Sequence, residues 1–235
     1  MDMPVRIMRR FAGRVLDTLY PPRCVACRRS GDWWCASCRG AVERLTNRPC
    51  SRCLATDLRH VCNGTLPFAG VVSTGFYHSR PLRRLIAELK FQGMTAVGAD
   101  LESYLRDWSA SFPWAGETTI AIQPMPLAPG RERHRGFNQA AWIAERMRVA
   151  WNIPGNRSAL LARRPSTFAQ ADLTHDGRLR QANISGTFVA TRRVVGPVLL
   201  VDDVVTTGST AGEAAQILMQ AGAPRVYLAT LAVGK

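Results

Sequence analysis

Val198-Leu199-Leu200-Val201-Asp202-Asp203-Val204-Val205-Thr206-Thr207-Gly208-Ser209-Thr210 is the stretch whose reading decides the fold. Its first four residues form a continuous apolar run, the mark of a strand buried on both faces of a parallel sheet. Two acids end the run, a Thr/Gly/Ser loop follows, and a helix is expected over 210–221. Thr210 with Glu213 three residues on reads as a capping box, and Gly222 and Pro224 mark the stop. A phosphate at this helix start would meet free backbone N–H groups and the positive end of the helix dipole. Thr206, Thr207, Ser209 and Thr210 add hydroxyl donors, and Gly208 lets backbone come close. Ionised carboxylates only accept hydrogen bonds, so Asp202 and Asp203 match the donating hydroxyls of a sugar. They also favour the positive charge that develops on a sugar ring as its anomeric bond breaks.

Outward from this loop the pattern alternates. A closing strand is expected over 225–232, a short buried strand over 118–122 and a strand over 68–77. Helical spacing runs through 81–108, in two pieces near Gly93, and again through 138–150. Residues 162–187 are polar and Arg-rich with little periodicity. Strands alternating with helices predict an α/β fold built on a doubly wound parallel sheet. In such sheets ligands sit beyond the carboxyl ends of the strands, where the loop above falls. Residues 3–20 carry Val5, Met8, Phe11, Val15 and Leu19 at helical spacing, with Arg6, Arg10 and Arg14 on another face. We expect an amphipathic helix within 1–22, packed on the body of the protein, with an anionic membrane surface as the alternative.

The composition bounds the function. A chain of 235 residues with 46% hydrophobic content can build a true core and carry a small appendage. No run reaches the roughly 18–20 apolar residues of a membrane helix, and no secretory signal is legible, so a cytoplasmic location is expected. The net charge is +14; of 31 basic residues only Lys90 and Lys235 are lysines. Guanidinium forks suit phosphate oxygens, which favours phosphate-bearing ligands or nucleic acid.

All seven cysteines fall within 24–62. In a reducing compartment this clustering points to metal rather than disulfides. Cys24-x-x-Cys27 and Cys35-x-x-Cys38 make two knuckles for one tetrahedral zinc with a structural role. Cys50-x-x-Cys53 is a third knuckle, but the expected partner of Cys62 three residues on is Thr65. Either His60 completes a second zinc site or that site is lost. Trp33 and Trp34 beside the first knuckle are read as module core, with base stacking as the alternative.

The segment after the 118–122 strand reads Gln123-Pro124-Met125-Pro126-Leu127, then a Pro-rich loop with Arg131, Arg133, Arg135 and Gly136-Phe137-Asn138-Gln139. Three arginines face one nearby acid, Glu132, and an anion such as pyrophosphate would satisfy them. The Val198–Thr210 string resembles the phosphoribosyl pyrophosphate (PRPP) motif of type I phosphoribosyltransferases. The Pro-x-Pro-Leu strand end with Arg-x-x-x-Arg-Gly-Phe-Asn-Gln resembles the ComF family of competence-associated, phosphoribosyltransferase-like proteins. Gln170, Leu173, Arg180, Asn183 and Phe188 fit that family's spacing before the PRPP strand, and the resemblance spans roughly residues 23–234.

The resemblance implies a type I phosphoribosyltransferase-like domain over 67–235 behind a double zinc ribbon over 23–66. It places Asp202 and Asp203 on the ribose hydroxyls and Thr206, Thr207, Gly208, Ser209 and Thr210 around the 5-phosphate. Arg131, Arg135 and Asn138 would lie on the pyrophosphate side, with Mg²⁺ held largely by ligand oxygens and waters. Two functions follow from it. One is phosphoribosyl transfer to an acceptor the sequence does not name. The other is a non-catalytic accessory that binds single-stranded DNA, or proteins of DNA uptake and recombination, through the same fold and its basic zinc module. Residues 1–60 carry 12 basic and 5 acidic side chains.

Overall fold

The computed structural model describes residues 21–92, 95–108, 112–155, 157–164 and 187–234. The expected 3–20 helix and most of the polar 162–187 stretch lie outside the described residues. In chain order the elements are α1 (Ala36–Gly40), β1 (Gly70–Phe76), α2 (Arg80–Gln92), α3 (Gly98–Arg106), β2 (Ala121–Pro124) and α4 (Pro129–Arg135). There follow α5 (Gln139–Ala150), β3 (Leu161–Arg163), β4 (Phe188–Ala190), β5 (Val198–Val205), α6 (Ser209–Gln220) and β6 (Val226–Val233).

Four strands make one parallel sheet in the order β1-β6-β5-β2, and β3 with β4 forms a separate antiparallel ribbon. The expected α/β class, with a parallel sheet flanked by helices, therefore holds. All eight residues of β6 are buried, as a central strand covered on both faces requires. Leu82, Leu85, Ile86 and Leu89 recur at helical spacing on α2 and are fully buried against one face of the sheet, together with α3 and Ile143, Ala144 and Met147 of α5. The other face is covered by Ala211, Ala214, Ala215 and Leu218 of α6 and by Phe188 of the ribbon. Each such leucine contributes about 1.5–3 kcal/mol by leaving water.

Several expectations shift. The strand read at 118–122 lies at Ala121–Pro124, where its register against Val198–Val201 fixes it. β5 does not stop at the acids but pairs with β6 as far as Val205↔Val233. The capping box does not form: α6 starts at Ser209, one residue earlier than expected, with Gly208 as its cap, and Glu213 Oε1 accepts from the Thr187 backbone N–H at 2.9 Å. A carboxylate that can close off the incoming β4 strand is drawn to that partner instead. The basic stretch read as a Pro-rich loop is helix α4, begun by a proline and closed by Gly136 at φ 74°. Proline just inside the start and glycine just past the end were the signals for it.

Candidate functional site

Beyond the carboxyl ends of β5 and β2 lies a hollow of about 310 Å³. It is lined by the 206–210 loop, by Asp202 and Asp203, and by Met125, Pro126, Leu127, Arg131 and Arg135. Gly208 caps α6 at φ 75°, a conformation glycine adopts without strain. Thr207 Oγ1 and Ser209 Oγ lie 2.9 Å apart, so two hydroxyls converge at the mouth of a helix of twelve residues. A helix start of this kind offers the backbone N–H groups and dipole that attract an anion.

The two acids differ. Asp203 is buried, and its Oδ2 receives Lys90 Nζ at 2.9 Å and Gln139 Nε2 at 3.2 Å. Asp202 keeps some solvent contact at the hollow but is surrounded by protein on its other sides, and its Oδ1 accepts from the Asp203 backbone N–H at 2.8 Å. Burial and the Asp203 charge push the Asp202 carboxyl up to about 7, while Lys90 and Arg163 pull the other way. An ionised Asp202 is thus costly in the free protein, and a cation or donating hydroxyls in the hollow would relieve that cost. In this respect the acid pair fits a magnesium-bound sugar phosphate.

The arginines also divide. Arg131 and Arg135 line the hollow, and Arg135 donates to Gln139 Oε1 at 2.9 Å. Asn138 sits on the far side of the Pro126–Leu127 turn. Its Oδ1 caps α5 by accepting from the N–H groups of Ala140 and Ala141, and its Nδ2 donates to Met125 O at 3.0 Å. Three further polar side chains, outside the expected site residues, line the hollow: Lys90, Gln139 and Arg163. Lys90 carried a signal, as one of two lysines among 31 basic residues. Arg163 carried none, because β3 brings it there from the edge of the polar stretch. Its guanidinium lies over the Phe188 ring at 5.7 Å.

The cysteines gather into two clusters, Cys24/Cys27/Cys35/Cys38 and Cys50/Cys53/His60/Cys62, each with its ligand atoms within 4.8 Å of one another. All seven thiols are free of disulfides. Sulfur–sulfur separations of 3.8 Å (Cys27–Cys35) and 3.6 Å (Cys50–Cys62) are near the tetrahedron edge of about 3.8 Å set by Zn–S bonds of about 2.3 Å. His60 Nδ1 donates to Asp57 O at 2.6 Å, which leaves the Nε2 lone pair for a metal. That Nε2 is buried and has no hydrogen-bond partner among the described residues. Both donor sets fit zinc. Trp34 is fully buried and packs on Tyr104 at 4.9 Å, so it is core and is not free to stack on bases.

No helix among the described residues is long and apolar enough to cross a membrane. The double zinc ribbon domain family matches residues 15–64, which with the two clusters makes the module zinc-binding. Across the rest of the chain the similarity continues. DNA utilization protein YhgH of Salmonella typhimurium is 31% identical over 201 residues, covering 83% of this chain and 81% of that protein. Competence protein F of Haemophilus influenzae is 30% identical over 227 residues, covering 89% and 96%. Competence protein ComFC of Streptococcus pneumoniae is 24% identical over 199 residues, covering 82% and 84%. With an α/β parallel sheet behind a zinc ribbon and this similarity along most of its length, the chain belongs to the ComF family of competence and DNA-utilization proteins.

Proposed function

We propose that the chain binds PRPP with Mg²⁺ in the hollow and is built to transfer its phosphoribosyl group. The observation that carries this is the convergence, in one hollow, of a helix start rich in hydroxyls, two carboxylates and the arginines of α4. The 5-phosphate sits on the backbone amides and hydroxyls of 206–210. Asp202 and Asp203 accept from the ribose 2- and 3-hydroxyls. Arg131, Arg135 and Arg163 face the pyrophosphate. Asn138 acts one step back, fixing the start of α5 and the Met125 carbonyl.

Asp202 and Asp203 would hold magnesium through waters, and the bound ion would supply charge neutralisation on the pyrophosphate. The chain itself contributes orientation and electrostatics: the acids stabilise positive charge on the ribose, and the guanidinium groups stabilise the departing anion. His60 completes the second zinc site in this reading, and both zincs are structural.

Calorimetric titration of PRPP with and without Mg²⁺ tests binding, and pyrophosphate release across candidate acceptors tests transfer. Binding lost in Asp202→Asn/Asp203→Asn is expected. No heat with PRPP under either condition would sink the reading. The +14 charge and the relatives named for DNA utilization and competence favour a second activity, binding of single-stranded DNA. Such binding should weaken steeply with salt. Its persistence in the double variant, alongside no turnover in wild type, would leave a DNA-binding accessory without an enzyme.

A further inference from the structure

The two halves of the zinc module serve opposite faces of the sheet. Cys24, Val25 and Trp34 of the first half join the cluster under α2 and α3. Leu45, Leu54 and Leu66 of the second half join the cluster that includes α6. Leu54 follows Cys53 directly, adopts φ 62° and is buried. A Cβ built on Gly208 would lie 2.7 Å from Leu66 Cδ1 and 2.9 Å from Leu54 Cδ1, and one on Gly212 would lie 3.0 Å from Leu66 Cδ2. The leucine methyls therefore rest on bare backbone at the phosphate loop and the first turn of α6. The knuckle itself holds both leucines. Leu54 N–H donates to Cys50 O at 2.8 Å, and Leu66 N–H donates to Arg52 O at 3.0 Å. Gly64 permits this, since any Cβ there would run into the Arg52 carbonyl.

We propose that Leu54 and Leu66 are positioning residues that clamp the phosphate loop, and that they link zinc retention at Cys50, Cys53, His60 and Cys62 to phosphate occupancy at Gly208–Thr210. The proposal rests on the PRPP reading and deepens it. A knuckle of this size is ordered by its metal. When the metal leaves, the Cys50–Cys53 turn that presents Leu54 loosens, and the start of α6 loses its cover. Coupling of this kind is reciprocal: whatever zinc adds to phosphate affinity, phosphate adds to zinc retention. The first cluster is tied elsewhere. Trp34 N–H donates to Asp100 Oδ2 and Arg39 pairs with Asp100 Oδ1, each at 2.8 Å, on α3. Protection should therefore be confined to one of the two ions.

The test follows zinc release from the full chain into a chromogenic chelator, with and without saturating PRPP and Mg²⁺. One zinc is expected to leave at an unchanged rate and the other about fivefold or more slowly. His60→Ala should retain only the insensitive ion. Leu66→Ala should keep both ions and lose most of the protection, and Leu66→Met, which restores apolar bulk, should recover it. The wild-type comparison decides by itself if Leu66→Ala does not fold. PRPP that binds by calorimetry yet leaves both rates unchanged, or slows both equally, overturns the linkage and spares the PRPP reading. Absence of any PRPP binding overturns both.

Discussion

Lys90 Nζ reaches Asp203 Oδ2 at 2.9 Å across the wall of the hollow, joining the end of α2 to the strand that carries the acids. The lysine side chain keeps 24% of its exposure and the aspartate only 7%. The pair therefore depends on the lysine reaching inward. Loss of it would leave a buried carboxylate with Gln139 as its remaining side-chain donor among the described residues.

Lys90→Met is expected to destabilise the fold by about 1–3 kcal/mol, the penalty for leaving a buried charge half-satisfied. Lys90→Met/Asp203→Asn should cost less than the two single changes added together. Urea unfolding midpoints of the four proteins check this, and strict additivity would show that the pair does not interact.

Asp202 makes stability pH-dependent. Its carboxyl titrates near about 4 in the unfolded chain and at about 7 in the fold, raised by burial and by Asp203. Between those values the folded state holds the extra proton, so this residue's contribution is full below pH ~4 and is lost as pH rises through ~7. Asp202→Asn should flatten the wild-type decline, read as unfolding midpoints from pH 5 to 8. PRPP needs the ionised, accepting form, so its affinity should rise from pH 6 to 8, falling about tenfold per unit below 7.

Gly208→Ala should be costly twice over. The residue sits at φ 75°, and a methyl there meets Leu54 and Leu66 at under 3 Å. A loss of about 1–2 kcal/mol in stability is expected, with PRPP binding weakened further than Thr206→Val weakens it. Thermal melts and calorimetry separate the two effects.

Metal analysis should find two zinc ions per chain, one for each cluster. His60→Ala should halve that number, whereas Asp57→Ala should keep it, since only the Asp57 backbone carbonyl holds the imidazole. A single zinc in wild type, unchanged by His60→Ala, would make the second cluster a lost site, and two zincs in both proteins would remove His60 from its ligands.

Much of this architecture is legible in residue order because it is local. The apolar run of β5, the Gly/Ser/Thr loop and the α6 stop at Gly222 are written in consecutive residues. So are the knuckle spacings and the Asn138 cap of α5. What went astray involved a partner from elsewhere. Glu213 reads as a local cap until Thr187 is brought beside it. The acids read as a strand end until β6 pairs alongside them as far as Val205.

Features carried by neighbours in the chain were therefore legible in the sequence alone: a Gly/Ser/Thr loop running into a helix, two acids beside it and thiolate pairs spaced for zinc. Only the tertiary structure decided that Lys90 faces Asp203, that Arg163 joins the hollow and that Leu54 and Leu66 lie on Gly208 and the start of α6. The reason is physical. Hydrogen-bonding type and helix periodicity are properties of adjacent residues, whereas burial and charge pairing depend on which distant segments the sheet brings together.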